Sequence, residues 1–92
     1  MKMLVKINLE EVMEYVKDGI DCKVEIDADG QAYVMVAEAT GYEDTILIQQ
    51  FEAYDYEECE SEAQYTEWLE SCYIGEELEA KNGEKIEIEF TK

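Results

Sequence analysis

Two hydrophobic periods, one helical and one of two residues, alternate along the chain and predict its elements in order. Met3, Val5 and Ile7 interleave with Lys2, Leu4 and Lys6, the pattern of a short strand or extended lead-in. Asn8 precedes Glu11 by three, a capping box in which the Asn side chain accepts a backbone amide of the first turn. A helix is therefore expected from Leu9, with Leu9, Val12, Met13 and Val16 on one stripe and Gly19 as its left-handed stop. From Ile20 the period shortens to two. Cys22, Val24 and Ile26 alternate with Asp21, Lys23, Glu25 and Asp27, which predicts a half-buried strand. Asp29-Gly30 suits a tight hairpin turn, after which Tyr33 to Val36 resumes a β-prone run. Thr40-Gly41 marks the next turn, and Thr45 to Phe51 reads as a third strand with Ile46 and Ile48 on one face and Leu47 on the other. An antiparallel meander is the expected centre.

Periodicity then fails over Phe51 to Ser61, where acids interleave with Tyr54 and Tyr56. Ser61 and Gln64 form a second capping box, and Tyr65, Trp68, Leu69, Cys72 and Tyr73 recur at helical spacing before Gly75, which assigns Trp68 to the packed stripe. Leu78 and Ala80 face Ile86, Ile88 and Phe90 across Asn82-Gly83, a strong hairpin signal. With no proline and no internal repeat, residues 1–92 are expected to form a single α+β domain: a small antiparallel β-sheet, meander plus C-terminal hairpin, packed by two helices.

Composition narrows the chemistry. The apolar fraction is 47%, with seven Tyr, two Phe and one Trp, too much for a disordered acidic tail. Histidine is absent and every basic residue is lysine, so a Ser-His triad, a Cys-His pair and a His-bearing zinc site have no residues to build them. No glycine-rich phosphate loop occurs. The expectation is a protein that is not an enzyme and takes no cofactor. Cys22, Cys59 and Cys72 lack CxxC spacing and are odd in number, which fits reduced thiols in a cytoplasmic setting. Neither a signal peptide nor an apolar run of membrane-spanning length is visible.

The net charge of -18 is unevenly placed. Positions 24 to 80 carry 17 acids and no base, whereas the flanks carry 8 acids against 7 lysines. Like charges at helical spacing cost a few tenths of a kcal/mol per pair, on the order of 0.2–0.5, and the segment itself contains nothing to offset them. Such a charge repels nucleic acid and anionic membranes, which leaves a basic protein as the expected partner. The predicted contact set is Glu52, Asp55, Glu57, Glu58, Glu60 and Glu62, then Glu67 and Glu70, with Tyr54 and Tyr56 as aromatic anchors that stack on guanidinium groups. The bland alternative is charge that serves solubility alone, with an interaction or regulatory domain docking through apolar residues such as Ile46, Phe51 or Phe90.

Other constellations carry less. Asp27-Ala28-Asp29-Gly30 opens like a calcium loop, but the sixth position is Ala32 rather than glycine and the flanks alternate like strands, so a plain turn is expected and no metal. Adjacent Glu57 and Glu58 do not face each other on a helix, which disfavours an acid-base pair.

Taken together, the Asn8-to-Gly19 helix, the hairpin at Asp29-Gly30, the strand at Ile46 to Ile48 and the acidic aromatic run Tyr54 to Glu62 leading into the Trp68 helix resemble small acidic phage and mobile-element inhibitors, above all anti-CRISPR proteins that mimic DNA. The resemblance is architectural and spans roughly two-thirds of the chain. It implies a cytoplasmic inhibitor, in the host cell of a phage or mobile element, that plugs the cationic DNA-binding site of a CRISPR effector or other defence nuclease; in Cas9 that is the site where arginines read guanines of its short DNA motif. The C-terminal hairpin, Leu78 to Phe90, departs from that pattern.

Overall fold

A computed structural model describes residues 2–73, 77–79, 83 and 85–91. Its elements are β1 (Lys2–Asn8), α1 (Leu9–Val16), β2 (Cys22–Ile26), β3 (Ala32–Val36), β4 (Ile46–Phe51), α2 (Ala53–Glu57), α3 (Glu62–Tyr73), β5 (Glu77–Glu79) and β6 (Lys85–Thr91). The α+β class follows directly, but the strands form two three-stranded sheets rather than one, in the orders β1-β6-β5 and β3-β2-β4.

Local signals act where the sequence places them. Asn8 Oδ1 accepts the N–H groups of Glu10 and Glu11 at 2.8 and 3.3 Å and starts α1. Gly19, at φ +77°, ends that helical turn while the Ile20 amide bonds back to the Tyr15 carbonyl. The turn after β2 is built by Asp27: its Oδ1 accepts the Asp29 and Gln31 amides at 3.0 Å each, and its Oδ2 accepts the Tyr33 hydroxyl at 2.9 Å. Both carboxylate oxygens thus serve the hairpin.

Two expectations about pairing are corrected. The three central strands are not a meander, because β4 pairs with β2 rather than with β3, so β2 is the middle strand with antiparallel neighbours on both sides. The 37–45 connection crosses from one sheet edge to the other and covers the face of β2 that the alternation assigns to solvent. Glu25 is therefore buried at 7% exposure, and Lys23 pairs with it at 3.1 Å while also donating to the Ala39 carbonyl. The second correction concerns β6, which pairs antiparallel with β5 as the hairpin predicts but also lies parallel to β1, from Lys2↔Lys85 to Asn8↔Thr91. The predicted stop at Gly75, and Ala80 and Asn82 of the hairpin turn, lie outside the described residues; Gly83 adopts φ +88°.

One core joins the layers. Val5 and Ile7 of β1, Val12 and Val16 of α1, Cys22 and Val24 of β2, Tyr65 and Leu69 of α3 and Ile86 of β6 are each at most 1% exposed. Burying an aliphatic side chain of this size contributes about 1.5–3 kcal/mol, so residues from almost the whole chain hold this centre together. Burial also pushes the Cys22 thiol up to about 12, the behaviour of an inert core residue.

Candidate functional site

The acidic aromatic run that lacks periodicity is ordered as a short helix followed by a longer one. Glu52, the residue before α2, supplies no side-chain cap; the cap comes from Asp21, whose Oδ1 accepts the Ala53 amide at 2.8 Å. A helix of five residues capped by a residue 32 positions away leaves no local signature. The turn into α3 is closed by the predicted box, with the Gln64 amide donating to Ser61 Oγ at 3.1 Å and the Gln64 side chain accepting the Glu60 amide at 2.6 Å.

This frame sorts the ten predicted contact residues into three groups. Glu52, Tyr54, Glu57, Glu58, Glu60, Glu67 and Glu70 are exposed, Tyr54 at 62%. Tyr54 and Glu58, one helical turn apart, are joined by a hydrogen bond that holds the Tyr54 phenol above its ordinary range. Asp55 and Tyr56 turn partly inward. Tyr56 packs edge-on against the buried Tyr65 ring at 5.2 Å, and the Asp55 charge acts on the Tyr65 and Tyr73 phenols. Tyr56 is therefore a packing residue rather than an open anchor. Glu62 is exposed but bonded to Lys17 of the α1 C-cap, whose ammonium is held above its ordinary range first by that hydrogen bond. Lysines from outside the acidic segment thus offset it at Glu62, as Lys23 does at Glu25 and Lys85 at Glu79. Among the described residues, no other lysine pairs with the contact set.

Trp68 corrects the sequence reading in the opposite direction. At about 100° per residue, Tyr65 and Tyr73 lie about 40° to either side of Leu69, whereas Trp68 lies about 100° away. Leu69, not Trp68, is the centre of the buried stripe. Trp68 consequently stands 39% exposed, stacked on Tyr65 at 6.0 Å between Glu67 and Glu70. Spacing alone assigns it to the core, because i+3 from Tyr65 satisfies the helical template as well as i+4 does.

No family model, curated protein or solved structure matches this chain. No lysine follows in the last turns of α2 or α3, where the backbone leaves its negative end, while Glu57, Glu58 and Glu70 stand there. Each such charge costs about 0.3–1 kcal/mol at low ionic strength. Arginines or lysines approaching from outside relieve both the repulsion between carboxylates and the mismatch with the helix ends.

The remaining chemistry is spare. The three cysteines are free thiols, buried at Cys22, half-buried at Cys59 and exposed at Cys72. Among the described residues no three His, Cys, Asp or Glu side chains converge as metal ligands, and no helix is long and apolar enough to cross a membrane. Of the apolar docking residues named from the sequence, Phe51 is 3% exposed and edge-packed with Tyr73 and Phe90, so it belongs to the core, while Ile46 and Phe90 are half-buried.

Proposed function

We propose that this chain is an acidic inhibitor that occupies the cationic DNA-binding site of a host defence nuclease or CRISPR effector complex and excludes DNA by competition. The observation that carries the reading is the α2–α3 surface, where Glu52, Glu57, Glu58, Glu60, Glu67 and Glu70 stand exposed beside the open rings of Tyr54 and Trp68. Carboxylates one helical turn apart lie about 5–6 Å from each other, a separation comparable with that of phosphates along one DNA strand. Arginines that form bidentate bonds with phosphate do so with carboxylate as well, and their planes stack on tyrosine or tryptophan faces. The mechanism involves no bond making. A folded anion is steered to the cationic groove at low salt, fills it, and leaves DNA no access.

The test is binding of the intact protein to a purified DNA-binding effector between 50 and 500 mM salt, with duplex DNA as competitor. Competition by DNA is expected, as is a loss of at least about tenfold in affinity across that salt range. Glu57→Gln/Glu58→Gln/Glu60→Gln should weaken binding by about tenfold or more while preserving the fold. Binding that DNA does not displace and that survives the triple variant eliminates the mimic reading.

A further inference from the structure

A second surface lies around Ile20, in the connection from α1 to β2. Ile20 is 40% exposed although it leads into the well-packed β2, and Val36, at the end of the half-buried β3, is 37% exposed. Ile20 lines two adjoining grooves. One, of about 750 Å³, runs along α1 past Met13 and Tyr15 to Glu62 of α3; the other, of about 540 Å³, runs past Val36 and Ala37 at the end of β3. A third groove between α1 and α3 shares Met13 and Glu62 with the first and extends the trough to Ala63 and Thr66. The floor is therefore a broken apolar strip, Met13–Ile20–Val36, long enough for several side chains rather than one.

The rim decides what can lie there. Glu10 and Glu14 border the strip from α1, Asp18 from the turn after it and Glu38 from beyond β3. Among the described residues Lys17 is the single base on this rim, and it is engaged by Glu62. Asp21 also borders the trough, but its Oδ1 holds the Ala53 amide. Four carboxylates around an apolar floor repel an acidic occupant, and a second copy of this chain would bring a net charge of -18 to the contact.

We infer that the trough centred on Ile20 docks a basic amphipathic segment of a partner protein, its apolar side chains on Met13, Ile20 and Val36 and its lysines or arginines over Glu10, Glu14, Asp18 and Glu38. This mode, an apolar stripe laid into a groove with charges outside it, gives affinity through the buried stripe and orientation through the rim. It does not depend on the α2–α3 surface acting as a DNA mimic.

The probe is a fluorescein-labelled peptide of leucine and lysine patterned as an amphipathic helix, titrated with the intact protein at about 150 mM salt. Its control has the same charge with every leucine replaced by serine. The amphipathic peptide is expected to bind at least about tenfold more tightly than the control. Ile20→Ser and Val36→Ser should each weaken it at least about fivefold, and Glu14→Gln/Asp18→Asn should weaken it by a similar factor. Glu58→Gln/Glu60→Gln, which leaves in place the Glu57 carboxylate that reaches Gly19 beside Ile20, should change it less than about twofold, which separates this surface from the other. Thermal midpoints within a few degrees of the parent show that the variants fold. Equal binding of the serine control, or an Ile20→Ser variant that binds as the parent does, overturns the inference. Self-association in sedimentation that is abolished by Ile20→Ser also overturns it, by giving the strip to a second copy.

Discussion

Gly41 carries a sharp stability prediction, because two independent effects meet at its Cα. It sits at φ +86° in the connection that crosses β2, and a Cβ placed there would stand 2.6 Å from Glu25 Oε2 and 2.8 Å from the carboxyl carbon. Glu25 cannot step aside freely. Its carboxylate accepts the Thr45 hydroxyl, is paired with Lys23 at 3.1 Å, and lies in a 7% exposed position. Gly41→Ala therefore brings left-handed strain of about 1–2 kcal/mol and displaces a buried ion pair whose rupture costs about 3–5 kcal/mol. Since the displacement can be partial, a loss of about 2–5 kcal/mol is expected, out of roughly 5–14 for a domain of this size. At about 4–8 °C per kcal/mol this lowers the melting temperature by at least about 8 °C. Urea unfolding followed by circular dichroism measures the loss directly. The mechanism is isolated by repeating the substitution in a Glu25→Ala background, where the clash is gone and only the strain of about 1–2 kcal/mol should remain. If Gly41→Ala costs the same in both backgrounds, the carboxylate contact contributes nothing and the argument fails.

Three further outcomes follow from described contacts. The Tyr65 hydroxyl is fully buried with no hydrogen-bond partner among the described residues, so Tyr65→Phe, which keeps the ring contacts to Tyr56 and Trp68, should stabilise the protein by about 1–3 kcal/mol in urea titrations; a loss of stability would show that the hydroxyl is bonded. Asp21→Ala removes the distant cap of α2 and should cost about 0.5–2 kcal/mol with faster amide exchange at Ala53 and its neighbours, whereas Asp21→Asn should retain most of the effect. The Glu25 carboxyl is held below its usual range, first by the Thr45 hydrogen bond and then by Lys23. A depressed folded-state value means stability that is present above the ordinary value of 4.5 and is lost as pH falls through the folded one. The stability gap between parent and Glu25→Gln should accordingly be constant at neutral pH and close below about pH 4.5; a gap that persists unchanged to strong acid contradicts the assignment.

How much of this was legible beforehand depends on the range over which each interaction acts. The caps at Asn8 and Ser61, the left-handed Gly19 and the hairpin at Asp29-Gly30 are decided within five residues, and all stand where the pattern predicts. The α2 helix was invisible because its cap comes from Asp21, and Lys23 and Glu25 were assigned to solvent because nothing local reveals that the 37–45 connection passes over them. The candidate surface was legible in composition but not in detail. Counting charges locates the segment, yet only the fold shows Tyr56 turned onto Tyr65, Glu62 bonded to Lys17, and Trp68 outside its helix's buried stripe.

The parallel pairing of β1 with β6 has a bearing on how the molecule is made. A ribosome releases β1 before β6, and its Val5 and Ile7 then have no sheet partner until Ile88 and Phe90 emerge about eighty residues later. Closing so long a loop is entropically slow, and the waiting strand exposes unpaired backbone to other nascent chains. During that interval the dense negative charge of the middle segment keeps neighbouring copies apart, so the same carboxylates that crowd the finished surface protect its unfinished precursor.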